Sequence, residues 1–521
     1  MSRAAAPNQP PAPAPDVGRI SGRGGLAVTA AKVYFILTGL VQQIVLKRVL
    51  GLDGYGALSS ALSAASIAYN PLVSASLQGV SHAVATSTES EREFSLRTAL
   101  RTHAWIALAS AAGFWILAPM IGDLTGALHL VTGLRVLSLV LVTYGLYAPL
   151  VGALNGMTHF GTQAALDALA ATLRTFGLIL GALWLTRAPR ENAGGMEGAT
   201  LGFAASALVV LGVALLRVGW GKSGRGSLAA RSYLRFLAPL LISQVLLNLL
   251  FQADQLLLRR FAADAAASVG MDPRAADPLV GAYRAIQLFC FLPYQLVLSV
   301  SIVLFPLVAK AHRRGERETV GRYVEQAMRL ALLVGGLVVS VTLALPGPLL
   351  RLVFGADTAA LGTDAMRVLS VGLGSLALLG VLTSVLNALE KPRLGLIVTG
   401  LAFALVVALC FARVRGLPFG PELLWHTALA TSFAMLAATG FAAWLVRRHA
   451  GRVLAPLTLG RVLLALGAAL LVSSFWPAPS GLGTVLASAI IVASYVATLF
   501  VTRELGLEEL RRVQRLLGRA R

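Results

Sequence analysis

About 14 stretches of this chain are apolar over a length that crosses a lipid bilayer, and little sequence lies between them. A spanning helix needs about 20 predominantly apolar residues, and the segments 26–46, 164–185 and 233–256 are examples. Because hydrocarbon offers the backbone no hydrogen-bond partners, such segments fold as helices. No loop is long enough to hold a soluble catalytic domain, so whatever the protein does takes place within the membrane.

The composition excludes a soluble fold. Of the 521 residues, 57% are hydrophobic and 13% are charged, whereas soluble domains carry about 25% charged residues. The formal net charge is +21, but the basic residues lie in short loops between apolar segments, as the positive-inside rule describes. We interpret this charge as a topology signal, with an anionic substrate as the alternative and no nucleic-acid partner.

The sequence predicts no metal, no cofactor and no catalytic residues. Only Cys290 and Cys410 are present, both within apolar segments, which argues against a disulfide framework and against a cysteine metal site. The seven histidines form no HExxH or Cys/His cluster. The first 25 residues lack the apolar core and the cleavage site of a signal peptide, so we interpret them as a disordered cytoplasmic tail.

The distribution of Lys and Arg sets the expected topology. The predicted spans are 26–47, 57–80, 99–121, 130–153, 163–187, 196–216, 233–258, 281–308, 324–348, 364–388, 394–412, 424–446, 456–476 and 482–502. Both tails and the loops after even-numbered spans carry most of the basic residues, so both termini are predicted to be cytoplasmic. The tail 504–521 has the pattern of an amphipathic helix on the membrane surface, or of a solvated helix.

An internal repeat relates the first span to the seventh. Gln43–Val49 resembles Gln255–Phe261, and each is followed by a Gly/Tyr element, Gly54–Gly56 and Gly281–Tyr283. Because a period of six spans is even, the two halves run in the same direction, and parallel repeats of this kind build transporters whose substrate site lies between the halves. We therefore predict an all-α polytopic membrane protein with about 14 transmembrane helices, arranged as two pseudo-symmetric six-helix lobes plus two extra C-terminal helices.

The predicted domains follow this repeat. They are the tail 1–25, the N-terminal lobe 26–218, the cytoplasmic linker 219–232, the C-terminal lobe 233–450, the last two transmembrane helices within 451–503 and the tail 504–521.

Three groups of passages carry a family resemblance. They are Leu50–Gly56; Ala253–Leu258 with Val280–Tyr283 and Phe305–Ala309; and Leu350–Gly355 with Leu386–Arg393. These passages resemble the polysaccharide-repeat-unit flippases, the O-antigen and exopolysaccharide branch of the multidrug/oligosaccharidyl-lipid/polysaccharide (MOP) exporter superfamily. The resemblance covers roughly residues 26–443. It implies a protein of the bacterial inner membrane that moves polyprenyl-diphosphate-linked oligosaccharides from the cytoplasmic to the periplasmic leaflet for surface polysaccharide assembly.

Other functions stay open as alternatives. The Arg- and Asp-rich opening of the lipid II flippases and the signatures of the drug/cation antiporters are not found here. A membrane polysaccharide polymerase needs an outward loop with acid/base residues, and the longest such loop, 259–279, holds only Asp264, Asp272 and Asp277 as acids. The expected partners are the lipid-linked oligosaccharide, membrane lipids and, beyond them, a polysaccharide polymerase with its export machinery.

Polar residues at membrane depth are the candidates for lining a substrate cavity, because such groups are costly in hydrocarbon. In the first span Lys32 and Gln43 share a helical face, although Lys32 has the alternative of reaching back to the interface. In the fifth span Arg174 is suited to hold a diphosphate through its forked guanidinium. Asp167, seven residues earlier, is a candidate partner for it.

The seventh and eighth spans supply the remaining candidates. Gln244 and Asn248, with Gln252 and Gln255, form an amide stripe that either binds sugar hydroxyls or joins helices. Asp254 lies off this stripe and is singled out by its place in the family-like passage. Arg284 and Gln287 share a face of the eighth span, and Arg284 has the alternative role of anchoring the outer interface.

Overall fold

The computed structural model describes residues 17–186, 194–223, 229–475 and 480–506, with the backbone alone for 17–33, 186, 299, 302 and 303. Within these ranges the chain forms 15 α-helices and no strand, which confirms the predicted fold class. Most of the predicted N-terminal tail, the side chain of Lys32 and the C-terminal tail from residue 507 lie outside the described residues.

The first half of the chain holds five helices. They are α1 (Val17–Thr86), α2 (Arg92–Leu124), α3 (Val131–Gly156), α4 (Phe160–Thr186) and α5 (Gly194–Val218). The helices of the second half are α6 (Ala230–Ser268), α7 (Asp277–Cys290), α8 (Leu292–Arg313), α9 (Arg317–Ala344), α10 (Pro346–Phe354), α11 (Ala356–Ala388), α12 (Pro392–Arg413) and α13 (Glu422–Ala450). The last two are α14 (Pro456–Ser474) and α15 (Leu482–Val501).

The helix α1 contains two membrane crossings. Its 70 residues are far longer than the about 20 residues that one crossing needs. The chain reverses at Gly51, whose φ of 69° and ψ of −177° belong to a region that glycine alone enters without strain. The arms 17–50 and 52–86 are therefore the first and second spans.

The helices α7 and α8 together make one broken crossing. They meet at Phe291, just before Pro293, and proline interrupts the hydrogen-bond ladder because it has no N–H. Twelve described helices are individually long and apolar enough to span a membrane. With the second arm of α1 and the α7–α8 pair, this agrees with the about 14 crossings that the sequence predicts.

Each half has its own apolar core, and α6 contributes to both. Tyr233 and Leu237, near the start of α6, pack into a core of α1–α5 residues. Leu250 and Leu258, further along the same helix, pack into the core of the second half. The pair α14–α15 packs on α9, where the Tyr495 hydroxyl donates to the Leu333 carbonyl at 3.2 Å.

Successive crossings alternate in direction, which gives the bundle two distinct ends. Gly51 and the connections 125–130 and 269–276 lie at one end, which we call the distal end. Here Arg260 donates to the Asp123 carbonyl at 2.7 Å. The connections 87–91 and 157–159 and the end of the described chain lie at the opposite end, which we call the terminal end.

Candidate functional site

The two halves meet backbone to backbone at the distal end, through α1 and α7. A Cβ atom placed on Gly56 would lie 1.8 Å from the Asp277 carbonyl oxygen, and one on Gly281 would lie 2.5 Å from the Leu52 carbonyl oxygen. No real side chain fits at either distance, so the contact depends on both glycines. These are the glycines of the two repeated Gly/Tyr elements, which therefore pack against one another.

The tyrosines of the two repeated elements make equivalent hydrogen bonds within their own halves. Tyr55 donates to Oε1 of Gln43 at 2.8 Å, and Tyr283 donates to Oδ2 of Asp254 at 2.8 Å. Both tyrosines are almost fully buried. Each hydroxyl thus fixes a polar group of the preceding span beside the junction between the halves.

Charged pairs also join the halves at the distal end. Lys47 of α1 lies 2.7 Å from the carboxylate of Asp357 in α11. His129, which follows α2, lies 3.0 Å from Asp277 of α7. The fully buried Arg259 approaches the same Asp277 carboxylate at 3.2 Å. Opening this end of the protein requires breaking the Lys47–Asp357 and His129–Asp277 pairs.

Deeper in the bundle, amide and hydroxyl groups connect α1 with α6. Asn70 donates to Asn248 at 3.0 Å, and Ser63 donates to Gln255 at 3.0 Å. Two members of the predicted amide stripe on α6 therefore join the halves through hydrogen bonds. The half-buried Gln244 belongs to the same stripe, but its side chain makes no hydrogen bond within the described part of the chain.

Asp254 lies buried inside the second half, 3% exposed, among neutral donors. Besides Tyr283, its carboxylate accepts from Gln287 at 3.1 and 3.2 Å, from the Gln255 N–H at 2.8 Å and from Thr431 at 3.3 Å. No Lys, Arg or His of the described residues pairs with it. The carboxylate is therefore held by dipoles rather than by a counter-charge.

A polar relay leads from Asp254 to the junction between the halves. Gln287 donates to Asp254 and accepts from Nη1 of Arg284 at 3.4 Å. Arg284 is half-buried and lies within electrostatic reach of Tyr55 in the other half. The structure thus brings four sequence candidates together: Gln43, Asp254, Arg284 and Gln287.

Arg174 lies in a separate aromatic cluster within the first half. Its guanidinium carbon is 5.0 Å from the centre of the Phe203 ring, a cation–π contact. Tyr144 lies beside it, with its ring 5.8 Å from that of Phe203. Nε of Arg174 is buried without a hydrogen-bond partner, and the guanidinium forms no ion pair among the described residues. Its charge is therefore available to an anion.

The carboxylate suggested as a partner of Arg174 lies at the edge of this cluster. Asp167 accepts from the Tyr147 hydroxyl at 3.4 Å, and it forms further contacts. The Tyr144 and Tyr147 rings are 5.9 Å apart. The first half therefore presents one arginine, one carboxylate and several aromatic rings on neighbouring helices.

Several residues at the junction are not among the sequence candidates: Lys47, Tyr55, His129, Asp277, Tyr283 and Asp357. The repeat already holds part of the signal, since Lys47 and Arg259 occupy equivalent positions in the two repeated segments. Both bind a carboxylate of the second half at the distal end. Their partners come from α7 and α11, and the repeat does not identify them.

The described residues contain no group of three or more His, Cys, Asp or Glu side chains arranged to hold a metal. Cationic and amide groups lie at the junction between the halves, and a cationic group lies among aromatic rings within the first half. Such groups suit the binding of an anionic, hydroxyl-rich molecule.

Several solved structures that resemble this one are those of membrane transporters. The lipid II flippase MurJ in an inward closed conformation matches with a TM-score of 0.74 and 14% identity, over 92% of this chain and 99% of that one. An inward-facing multidrug resistance MATE family transporter matches with a TM-score of 0.59 and 16% identity, over 80% and 95%. A MOP superfamily transporter from Pyrococcus furiosus matches with a TM-score of 0.56 and 14% identity, over 81% and 95%. At these identities the likeness concerns the fold.

The family comparison identifies the chain. No curated protein matches it. A family model described as polysaccharide biosynthesis protein matches residues 21–312, more than half of the sequence, and the MatE family model matches residues 239–412. The chain belongs to the polysaccharide biosynthesis protein family of the MOP superfamily and is a multi-pass membrane transporter of the flippase type.

Proposed function

We propose that this protein flips polyprenyl-diphosphate-linked oligosaccharide repeat units from the cytoplasmic to the periplasmic leaflet of a bacterial inner membrane. In this proposal both termini are cytoplasmic and the distal end faces the periplasm. The observation that carries it is the environment of Arg174, an arginine at membrane depth that is held by an aromatic ring and has no carboxylate in ion-pair contact. The membership in a polysaccharide biosynthesis family supports the same substrate class.

The chemistry of a lipid diphosphate fits the two arginines. A guanidinium binds phosphate oxygens through two parallel hydrogen bonds, and Arg174 and Arg284 belong to different halves. We propose that the diphosphate binds first near Arg174 and that Arg284, Gln43 and Gln244 line its path, with the lipid tail left in the bilayer. Lys32 stays a further candidate on the same path.

The membrane potential is a source of energy for this transfer. Moving a negative headgroup outward across an inside-negative membrane is favourable by about 2.3 kcal/mol per charge at 100 mV. Alternating access by rocking of the two halves then requires that the distal contacts break and re-form.

The experiment is transport of a polyprenyl-diphosphate-linked sugar by the purified protein in proteoliposomes. We expect Arg174→Ala to abolish flipping and Arg174→Lys to restore it in part, because an ammonium keeps the charge but loses the fork. The matched control is Arg135→Ala, since Arg135 also stacks on an aromatic ring, Trp115 at 4.6 Å, but is exposed. Normal flipping by Arg174→Ala, or equal loss in Arg135→Ala, would contradict the proposal.

Lipid II is the second candidate substrate, because the fold match to MurJ covers 92% of this chain. A deletion strain separates the two candidates. Loss of surface polysaccharide, with lipid-linked repeat units trapped on the inner leaflet and unchanged in covalent structure, favours the proposed function. Arrest of cell-wall synthesis, rescued by a known lipid II flippase, would assign lipid II instead. Exposed repeat units that fail to polymerise would indicate a polymerase.

A further inference from the structure

A basic cavity lies at the terminal end of the first half, away from the junction between the halves. It has a volume of about 160 Å³ and is lined by the ends of α1, α2, α3 and α5 together with Met157 and His159 of the connection before α4. Its apolar lining comes from residues such as Val84, Leu96 and Leu154. Its polar lining consists of Arg92, Glu93, His159 and Arg217. Apolar walls and basic groups thus meet at one membrane boundary.

The two arginines of this cavity are without carboxylate partners. Neither Arg92 nor Arg217 forms an ion pair among the described residues, and neither does Glu93. Nε of Arg92 is buried and has no hydrogen-bond partner. A buried guanidinium nitrogen without a partner is costly, and a ligand with acceptor oxygens would satisfy it.

The backbone adds to the positive potential of the cavity. Arg92 and Glu93 are the first two residues of α2. The N–H of Arg92 donates to the Thr88 carbonyl at 3.1 Å, so the N–H groups of Glu93 and Phe94 remain for a ligand, and the helix dipole places partial positive charge there. His159, directly before α4, is a further donor.

We propose that this cavity binds a phosphate group. The volume equals about five water molecules at about 30 Å³ each, which accommodates a phosphate with its oxygens. Arg92 and Arg217 supply guanidinium donors, the start of α2 supplies N–H donors, and Glu93 is the single acidic residue of the lining. The proposal is independent of the transported substrate, because no residue of the cavity belongs to the transport path proposed above.

Two sources of the phosphate share this chemistry, an anionic lipid headgroup and free inorganic phosphate. The test uses the purified full-length protein in neutral detergent and measures its thermal unfolding midpoint. The probes are dioctanoyl phosphatidic acid, dioctanoylglycerol, which has the same chains without phosphate, and inorganic phosphate. We expect phosphatidic acid to stabilise the protein and dioctanoylglycerol not to do so. Stabilisation by inorganic phosphate at equal concentration would identify the free anion as the ligand, and its absence would identify the lipid.

Substitutions that remove a positive or a negative charge from the cavity should change the affinity for phosphate in opposite directions. Arg92→Gln and Arg217→Gln should each weaken the apparent affinity about tenfold, the loss of one charge-assisted hydrogen bond. Glu93→Gln should tighten it about threefold. Arg322→Gln is the matched control, because Arg322 is an exposed arginine near the start of α9 at the same end of the bundle.

Two results would overturn the proposal. One is that neither phosphate probe stabilises the protein relative to dioctanoylglycerol. The other is that Arg322→Gln weakens binding as much as Arg92→Gln, which would indicate a general charge effect.

Discussion

Lys47 donates from Nζ to both carboxylate oxygens of Asp357, at 2.7 and 2.8 Å, and these two residues belong to opposite halves of the transporter. The lysine side chain is 10% exposed and the aspartate side chain is 50% exposed. The pair lies at the distal end, together with the Gly56–Gly281 contact and the His129–Asp277 pair. These contacts hold the distal end closed.

The Lys47–Asp357 pair should contribute measurably but modestly to the closed arrangement. Because Asp357 is half-exposed, a double-mutant cycle of Lys47→Ala and Asp357→Ala should give a coupling energy of about 1 kcal/mol in thermal unfolding. The double variant Lys47→Asp/Asp357→Lys, which exchanges the two charges, should recover part of this coupling energy. Asp364→Ala is the control, because Asp364 lies on the same helix, is exposed and reaches Arg367 only at 3.9 Å. A coupling energy of zero would mean that the pair does not hold the halves together.

The contact between Gly56 and Gly281 should tolerate substitution less well than the Lys47–Asp357 ion pair. Gly56→Ala and Gly281→Ala each place a methyl group where backbone atoms of the other half now lie, so each should destabilise the closed distal end by about 1–3 kcal/mol. Gly113→Ala should be neutral, because nothing lies within 4 Å of its Cβ position. Thermal unfolding and the rate of transport are the measurements. Equal behaviour of Gly56→Ala and Gly113→Ala would contradict the close approach.

The sequence predicts the spans of this protein well because hydrophobicity along the chain is a local property. It places the break between the first two spans at 48–56, and the structure assigns the reversal to Gly51. The repeat relates Gln43 to Gln255 and Gly56 to the region of Gly281, but similarity between two segments does not show that they touch. The contact follows from how the halves dock, which depends on the whole surface of both.

The amide stripe on α6 shows the same limit at the site. Periodicity places Gln244, Asn248 and Gln255 along one side of the helix, and both a sugar-binding and a helix-joining role are consistent with that pattern. Only the positions of Ser63 and Asn70 on α1 show which amides already have protein partners. Which residue each amide hydrogen-bonds depends on the tertiary packing of α1 against α6, and the sequence of α6 alone does not contain it.

Asp254 should be sensitive to the smallest possible substitution. Its two oxygens accept five hydrogen bonds from four residues, and in Asp254→Asn one acceptor becomes a donor facing the Gln287 amide or the Tyr283 hydroxyl. We expect a loss of about 1–3 kcal/mol in stability together with reduced transport. Asp264→Asn, in an exposed pair with Arg260, is the control and should be neutral. An unchanged midpoint for Asp254→Asn would show that the carboxylate is not required by its neighbours.

Glu504, just after the last helix, ties α14 to α9. It is 2% exposed and lies 2.7 Å from Arg329 and 2.8 Å from Arg461. Burial raises the pKa of Glu504, but hydrogen bonds from Arg461, Arg329 and Thr458 outweigh it and hold the pKa below its ordinary value. The resulting stabilisation is present above the ordinary pKa of a glutamate and is lost as the pH falls through the lower folded value.

Glu504→Gln should therefore lower the unfolding midpoint near neutral pH and flatten its decline in acid. We expect a loss of about 1–2 kcal/mol, because both arginines are partly exposed to solvent. Glu325→Gln is the matched control, since Glu325 reaches the exposed Arg452 only at 3.8 Å. A parallel decline of wild type and Glu504→Gln as the pH falls below about 5 would assign the acid sensitivity to other groups.

The predicted orientation has a direct test by thiol labelling. Ser268→Cys lies at the distal end and Arg314→Cys at the terminal end, and both positions are exposed. The native Cys290 and Cys410 are buried and should react little. A membrane-impermeant reagent should label position 268 in intact cells and position 314 only after the membrane is permeabilised. The opposite pattern would place both termini in the periplasm.

The helix α6 has a consequence for how this transporter moves. Its first turns are anchored in the first half, where the Tyr233 hydroxyl meets His103 at 2.7 Å, while Leu250 and Leu258, further along the helix, pack into the core of the second half. Any rotation of one half against the other must therefore bend this helix or break its contacts with one of the two halves. Pro239, between the two anchored stretches, lacks the N–H that would stiffen the helix there. The hinge between the two halves thus lies at membrane depth, within the single continuous helix α6.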